Sequence, residues 1–159
     1  MGKSGNAKLA NIICINRKAS FEYEILSRYD AGIVLFGCEV KPVRAKGCNI
    51  SSAYIGFDKG RAVIYNMHID NNVNSFDKPD CKRARYLLLK KREINKLIGQ
   101  SKEKGITFIP LSVKISDTGF VKVEFGLCRG KKLYDKRESI KQKELSREKQ
   151  QILKTVVFN

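Results

Sequence analysis

The sequence predicts a mainly-β chain: a small antiparallel barrel with about three helices outside it and an extended basic C-terminal tail. Three observations carry this. Strand-like runs recur with turn residues between them; the clearest alternates over residues 111–115 and 121–125 around Asp117-Thr118-Gly119. Only the segment from about 91 to 104 has a clear helical apolar face, with Ile94, Leu97 and Ile98 at i, i+3, i+4 spacing. From Tyr134 onward charges mix, and apolar residues are sparse until Ile152. A closed barrel hides its sheet edges without a second layer.

Taken in order, residues 1–10 are small and polar and form a flexible lead-in. Ile12-Ile13-Cys14-Ile15 is a short apolar run. The basic tetrapeptide Asn16-Arg17-Lys18-Ala19 then precedes a strand-like segment over 21–29. Residues 32–36, GIVLF, read as a separate buried strand. Residues 37–44, GCEVKPVR, fit a short helix on the barrel, although Pro42 weakens any helix interior. Segments 52–57 and 61–65 flank Asp58-Lys59-Gly60 as a hairpin. Residues 70–80, rich in Asn, Asp and Pro, form a surface loop. The triplet Leu87-Leu88-Leu89 follows Lys82, Arg83 and Arg85. The helix over 91–104 shows Lys91, Arg92, Lys96, Lys102 and Lys104 outward, with Gly105 as its C-cap. The expected domain spans 11–133. The tail, 134–159, has charges at helical spacing but too little apolar surface to dock, so it is expected to be disordered when free and helical when bound.

A chain of 159 residues suits one core. Its 32 Lys and Arg against 16 Asp and Glu leave a net charge of +16. Such an excess calls for an anionic partner: nucleic acid first, an anionic membrane second, with a solvated basic surface as the bland reading. The cysteines (Cys14, Cys38, Cys48, Cys81 and Cys128) include no Cys-x-x-Cys, so zinc and thioredoxin-like chemistry is not expected. They read as small buried hydrophobes in a reducing compartment. No apolar run approaches the ~18 residues that span a bilayer, and a cytoplasmic location is expected. A single histidine, His68, and no phosphate-loop or nucleophile motif argue against an enzyme, a cofactor or a metal site.

The positive signals are basic clusters with aromatics among them. They are Asn16-Arg17-Lys18, Lys82-Arg83-Arg85, the helix face, and GKKLYDKRE over 130–138. Lys and Arg supply phosphate contacts. Tyr23, Tyr29, Tyr86 and Tyr134 offer stacking faces for unpaired bases, whereas Tyr54 and Tyr65 fit strand packing better. Barrels of the OB type bind nucleic acid in this way. The alternatives are a general single-stranded nucleic-acid binder, and a peripheral membrane protein; the tail's Ile140 and Leu145 make a poor apolar face for the latter.

The segments Asn16-Arg17-Lys18-Ala19, Asp30-Ala31-Gly32-Ile33-Val34-Leu35, Gly37-Cys38-Glu39-Val40-Lys41 and Arg44-Ala45 resemble small protein B (SmpB), the tmRNA-binding family of bacteria. Tyr54, Asn66-Met67-His68-Ile69, Arg83-Ala84-Arg85-Tyr86-Leu87-Leu88-Leu89, Lys91-Arg92-Glu93-Ile94 and residues 126–138 extend the resemblance over 11–153. It implies an OB-like antiparallel barrel that binds the tRNA-like domain of tmRNA (SsrA RNA). It implies delivery to stalled ribosomes with elongation factor Tu and GTP, and a tail that folds as a helix in the empty mRNA channel. The implied tmRNA contacts are Asp30, Leu88 and Lys122, beside the basic-cluster residues Asn16, Arg17, Lys18, Arg83 and Arg85. At the decoding site of the small-subunit ribosomal RNA the implied contacts are Tyr134, Asp135, Lys136 and Arg137, with Lys131 and Lys132. In the channel they are Leu145, Ile152 and Leu153. The chain departs from the family at Asp30, often Glu; at Pro42, usually small and polar; at Tyr86, commonly Lys; at Tyr134, often His; and at Leu145, aromatic in some members.

Overall fold

A computed structural model describes residues 12–72 and 74–157, with the side chains of 139, 150 and 153–157 outside the description. The expected lead-in over 1–10 lies outside the described residues. The elements run β1 Ile12–Ile15, α1 Arg17–Glu22, β2 Tyr23–Ile33, α2 Gly37–Arg44, β3 Cys48–Asn49, β4 Tyr54–Asp58 and β5 Arg61–Tyr65. They continue as β6 His68–Ile69, β7 Arg85–Leu88, α3 Lys91–Ser101, β8 Ile106–Ile115, β9 Val121–Gly130 and α4 Leu133–Val157. Seven strands pair in the order β1-β8-β4-β5-β7-β2-β9, with a further pairing of β8 to β9; β3 and β6 form a separate ladder.

Strand alternation builds the core. In β9, Val121, Val123 and Phe125 point inward while Lys122 points out. Phe108 of β8 meets Phe57 edge-on at 5.3 Å and Phe125 at 6.4 Å, and Tyr29 of β2 stacks on Phe125 at 5.6 Å. Each large apolar side chain taken from water contributes about 1.5–3 kcal/mol. Leu97 of α3 and Val43 of α2 are fully buried in the same cluster, so both helices are anchored by their apolar faces.

Both expected hairpins form, β4–β5 and β8–β9. Three expectations are corrected. The segment read as a strand from 21 begins only at Tyr23, after a helix, α1, and runs on as one strand, β2, through Gly32 and Ile33; residues 34–36 of the second expected strand lie outside it. The cause is Asn16, whose side-chain oxygen accepts the Ala19 N–H at 3.2 Å and so starts a helix turn. The helix over 91–104 ends at Ser101, and Gly105 (φ +82°) is not its cap but the turn into β8. Four cysteines are only partly buried, and Cys128 alone of the five is fully so.

The short helix α2 does form around Pro42. Proline removes one helical hydrogen bond, but Glu39 offsets it at the other end by accepting the Phe36 N–H at 2.8 Å.

Candidate nucleic-acid interface

Strand register gathers Asp30, Leu88 and Lys122 on one outer face. Gly32 of β2 lies opposite Leu88 of β7 on one side and Lys122 of β9 on the other. Residues two apart on a strand share a face, so Asp30 joins this row. Gly32 has a reason to lack a side chain, since a Cβ there would lie 3.3 Å from the Cβ of Leu88. Leu88 is 63% exposed, although large aliphatics usually bury themselves. Phe120, 71% exposed at the β8–β9 turn, lies beside it, and the two border a cleft of about 520 Å³ that Lys122 and Arg44 also line. Arg44 donates to the Gly119 carbonyl at 3.0 Å, which holds α2 against that turn. Lys114 pairs with Asp30 at 2.6 Å, and Arg28 pairs with Glu124 at 3.1 Å. The face thus combines apolar stacking surface with cations, which suits a nucleic acid with both bases and phosphates.

The basic clusters near this face divide. Arg17 is exposed and lines a cleft with Arg28, Glu124 and Lys143, continuing the basic surface toward α4. Lys18 is exposed but faces another cleft, with Tyr54 and Tyr23. Tyr54 and Tyr65 stack as cross-strand partners at 5.3 Å, the packing role expected of them.

Two expected RNA contacts are corrected. Asn16 is 5% exposed, and its amide donates to the Ile50 and Pro110 carbonyls at 3.2 and 3.1 Å while its oxygen caps α1. With its side chain so engaged inside the protein, it is a structural tie. Arg85 is 1% exposed. Alternation on β7 turns Arg85 and Leu87 inward and Tyr86 and Leu88 outward, so Arg85 and Leu88 cannot both face the same RNA. The Arg85 guanidinium donates to Glu39 at 2.7 and 3.0 Å and to the Met67, Cys81 and Arg83 carbonyls.

Glu39 is the hub of this network. Burial would raise its pKa, but hydrogen bonds from Arg83, from Arg85 and from the Phe36 N–H outweigh burial and hold it below the usual value. Arg83 also donates to Glu39 at 3.0 Å and lies over the Phe36 ring, 3.7 Å from its centroid. Arg83 therefore reaches the surface only at its margin. Tyr86, on the outer side of β7, lies under Arg61, whose guanidinium carbon is 5.5 Å from its ring centre.

The expected ribosome contacts begin beside α1. Lys131 donates from its backbone to the Glu22 carbonyl and from its Nζ to the Ser20 carbonyl, each at 3.0 Å, tying the link between β9 and α4 to α1. Lys132, Tyr134, Asp135 and Arg137 are exposed and Lys136 is partly so. Along α4, Leu145 and Ile152 are exposed; the side chain of Leu153 lies outside the described residues.

Sequence reading missed Phe120 and the partner of Lys114. Phe120 carried a signal, a large aromatic directly after a polar turn. Alternation did place Lys114 on the outward face with Lys122 and Glu124, but its pairing with Asp30 was not legible, because it depends on the β8–β9 and β2–β9 registers together. His68 pairs with Asp70 at 3.1 Å. Among the described residues no three His, Cys, Asp or Glu side chains group as metal ligands, and no helix is long and apolar enough to cross a membrane.

Fold and site together define a β-rich protein with a mixed basic and apolar outer face and a basic helical arm. The family model described as SmpB protein matches residues 13–155. The SsrA-binding protein of a Nitratiruptor species is 45% identical over 145 residues, covering 90% of this chain and 97% of that protein. The SsrA-binding protein of Cytophaga hutchinsonii is 50% identical over 143 residues, covering 89% and 94%. A solved chain described as "tmRNA-SmpB: a journey to the center of the bacterial ribosome" aligns with a TM-score of 0.67 and 37% identity, covering 82% of this chain and 95% of that one. The chain belongs to the SmpB family.

Proposed function

We propose that this protein binds the tRNA-like domain of tmRNA through the outer face of β7, β2 and β9 and brings it to stalled bacterial ribosomes. The observation that carries this reading is the row Leu88–Gly32–Lys122 with Asp30 beside it. The relatives' description as SsrA-binding proteins supports the choice of RNA. The pairings link β8, β4, β5, β7, β2, β9 and back to β8, which supports an OB-like barrel over 11–133. In this reading Leu88 and Phe120 take a base or ribose face, Lys122 and Arg17 take phosphates, and Asp30 positions Lys114.

The segment 134–159 is the ribosome-reading arm. Lys132, Tyr134, Asp135, Lys136 and Arg137 face small-subunit ribosomal RNA at the decoding centre. Leu145, Ile152 and Leu153 then follow the empty mRNA channel. The exposure of Leu145 and Ile152 supports this, since among the described residues neither is packed into a core. An arm with so little docking surface is only marginally helical when free. Delivery proceeds with elongation factor Tu and GTP, in the cytoplasm, and lets tmRNA tag the nascent chain.

The test is truncation before Ser139. The shortened protein should hold tmRNA as the full chain does in a gel-shift assay, and tagging should be lost. Normal tagging by the truncated protein would overturn the role given to the arm. The exposed Tyr86 and Phe120 favour one rival, a general single-strand binder. If excess single-stranded RNA displaces tmRNA at physiological salt, that rival is correct.

A further inference from the structure

Cys14 and Cys48 are 34 residues apart in sequence and come from different sheets, yet their sulfurs lie 3.1 Å apart. Neither sits on a loose loop. Cys14 is held in β1 opposite Val113, and Cys48 is held in β3 opposite Ile69. Both residues are partly buried, unlike the fully enclosed Cys128. The bond length of a disulfide is about 2.0 Å, so closure needs a movement of about 1 Å. We propose that Cys14 and Cys48 form a hydroperoxide-sensitive site whose oxidation links β1 covalently to β3.

The two thiols are unequal, which assigns their roles. Cys14 accepts from the Cys48 S–H and also from the Val113 backbone, a second donor that Cys48 lacks, and these bonds outweigh burial and hold the Cys14 pKa below the usual thiol value. The bond to Cys14 and burial push Cys48 upward. Cys14 is then the more thiolate-like group and reacts first. Its thiolate attacks the terminal oxygen of a hydroperoxide; the O–O bond breaks and the alkoxide leaves, taking a proton to become an alcohol, or water from hydrogen peroxide. Cys14 is left as a sulfenic acid. Cys48 loses its proton and attacks the Cys14 sulfur. The S–O bond breaks and the departing hydroxide takes up that proton as water. Two thiols and one hydroperoxide thus give one disulfide, one alcohol and one water.

Hydrogen peroxide is the probe, applied to the full-length protein, followed by alkylation, proteolysis and mass spectrometry. A Cys14–Cys48 linked peptide is expected, absent after dithiothreitol. The oxidised protein should melt about 5–10 °C higher, because the cross-link restricts the unfolded chain. In Cys48→Ser the sulfenic acid on Cys14 should persist and be trapped by dimedone, with no rise in melting temperature. The proposal is overturned if both residues stay fully alkylatable after a treatment that oxidises a glutathione control. Linkage of either to Cys38, Cys81 or Cys128 instead would overturn it equally.

Discussion

Arg85 shows how a single side chain can be misassigned by its charge. Arg85 sits in a basic cluster in sequence, yet its guanidinium is spent on Glu39 and three carbonyls inside the protein. Removing Arg85 leaves buried Glu39 with Arg83 alone and strips the Met67 and Cys81 carbonyls of their guanidinium donor. Arg85→Ala should therefore cost about 3–5 kcal/mol in urea denaturation. Arg83→Ala should cost less, because Arg83 is partly exposed while the fully buried Arg85 keeps its ties to Glu39 and the carbonyls. The lowered pKa of Glu39 also sets a pH dependence. An unfolded glutamate titrates near about 4.3. The stabilisation is full above that value and fades as pH falls toward the lower folded one, since the unfolded state takes up the proton first. Glu39→Gln should flatten that acid-side slope while lowering stability at neutral pH, read from denaturation midpoints across the pH range.

At the scale of elements, sequence patterns were most legible where one period ran unbroken. The β8–β9 hairpin forms, although a register shift between Pro110 and Ser112 turns Leu111 toward a different cluster from Val113 and buries Ser112. Helix α3 was visible through Ile94, Leu97 and Ile98, of which Leu97 is fully buried. Helix α1 was not visible, because it has six residues and its cap, Asn16, looked like part of a basic patch. Helix α4 depends on propensity and charge spacing more than on packing, so a mid-helix proline should act strongly there. Leu145→Pro costs about 3 kcal/mol of helix stability. It should lower the helical circular dichroism signal and tagging together, with tmRNA affinity unchanged within about twofold.

The whole molecule carries +16, and its RNA binding should weaken steeply with salt. Each phosphate contact contributes a slope of roughly −0.7 to −0.9 in log K against log salt. Lys122→Ala should reduce the slope by about one contact. Leu88→Ala should weaken binding about tenfold with the slope unchanged, because it removes apolar contact rather than charge. A titration series at several salt concentrations separates the two. Equal slopes for both variants would move Lys122 off the phosphate path.

The sequence by itself determined the class: β-rich, strongly basic, with a charged C-terminal arm and motifs spaced as in SmpB. Composition and period are local properties, and they survive without knowing which strands meet. The tertiary structure decided which of the candidate residues share a surface. Leu88, Gly32 and Lys122 come from three separate strands, and only the β7–β2–β9 register places them in one row. The same pairing turns Arg85 inward, and the meeting of β1, β8 and the chain after β3 spends Asn16 on backbone ties. Charge draws a residue toward RNA only if the fold leaves it outside, and that choice is made by partners far away in sequence.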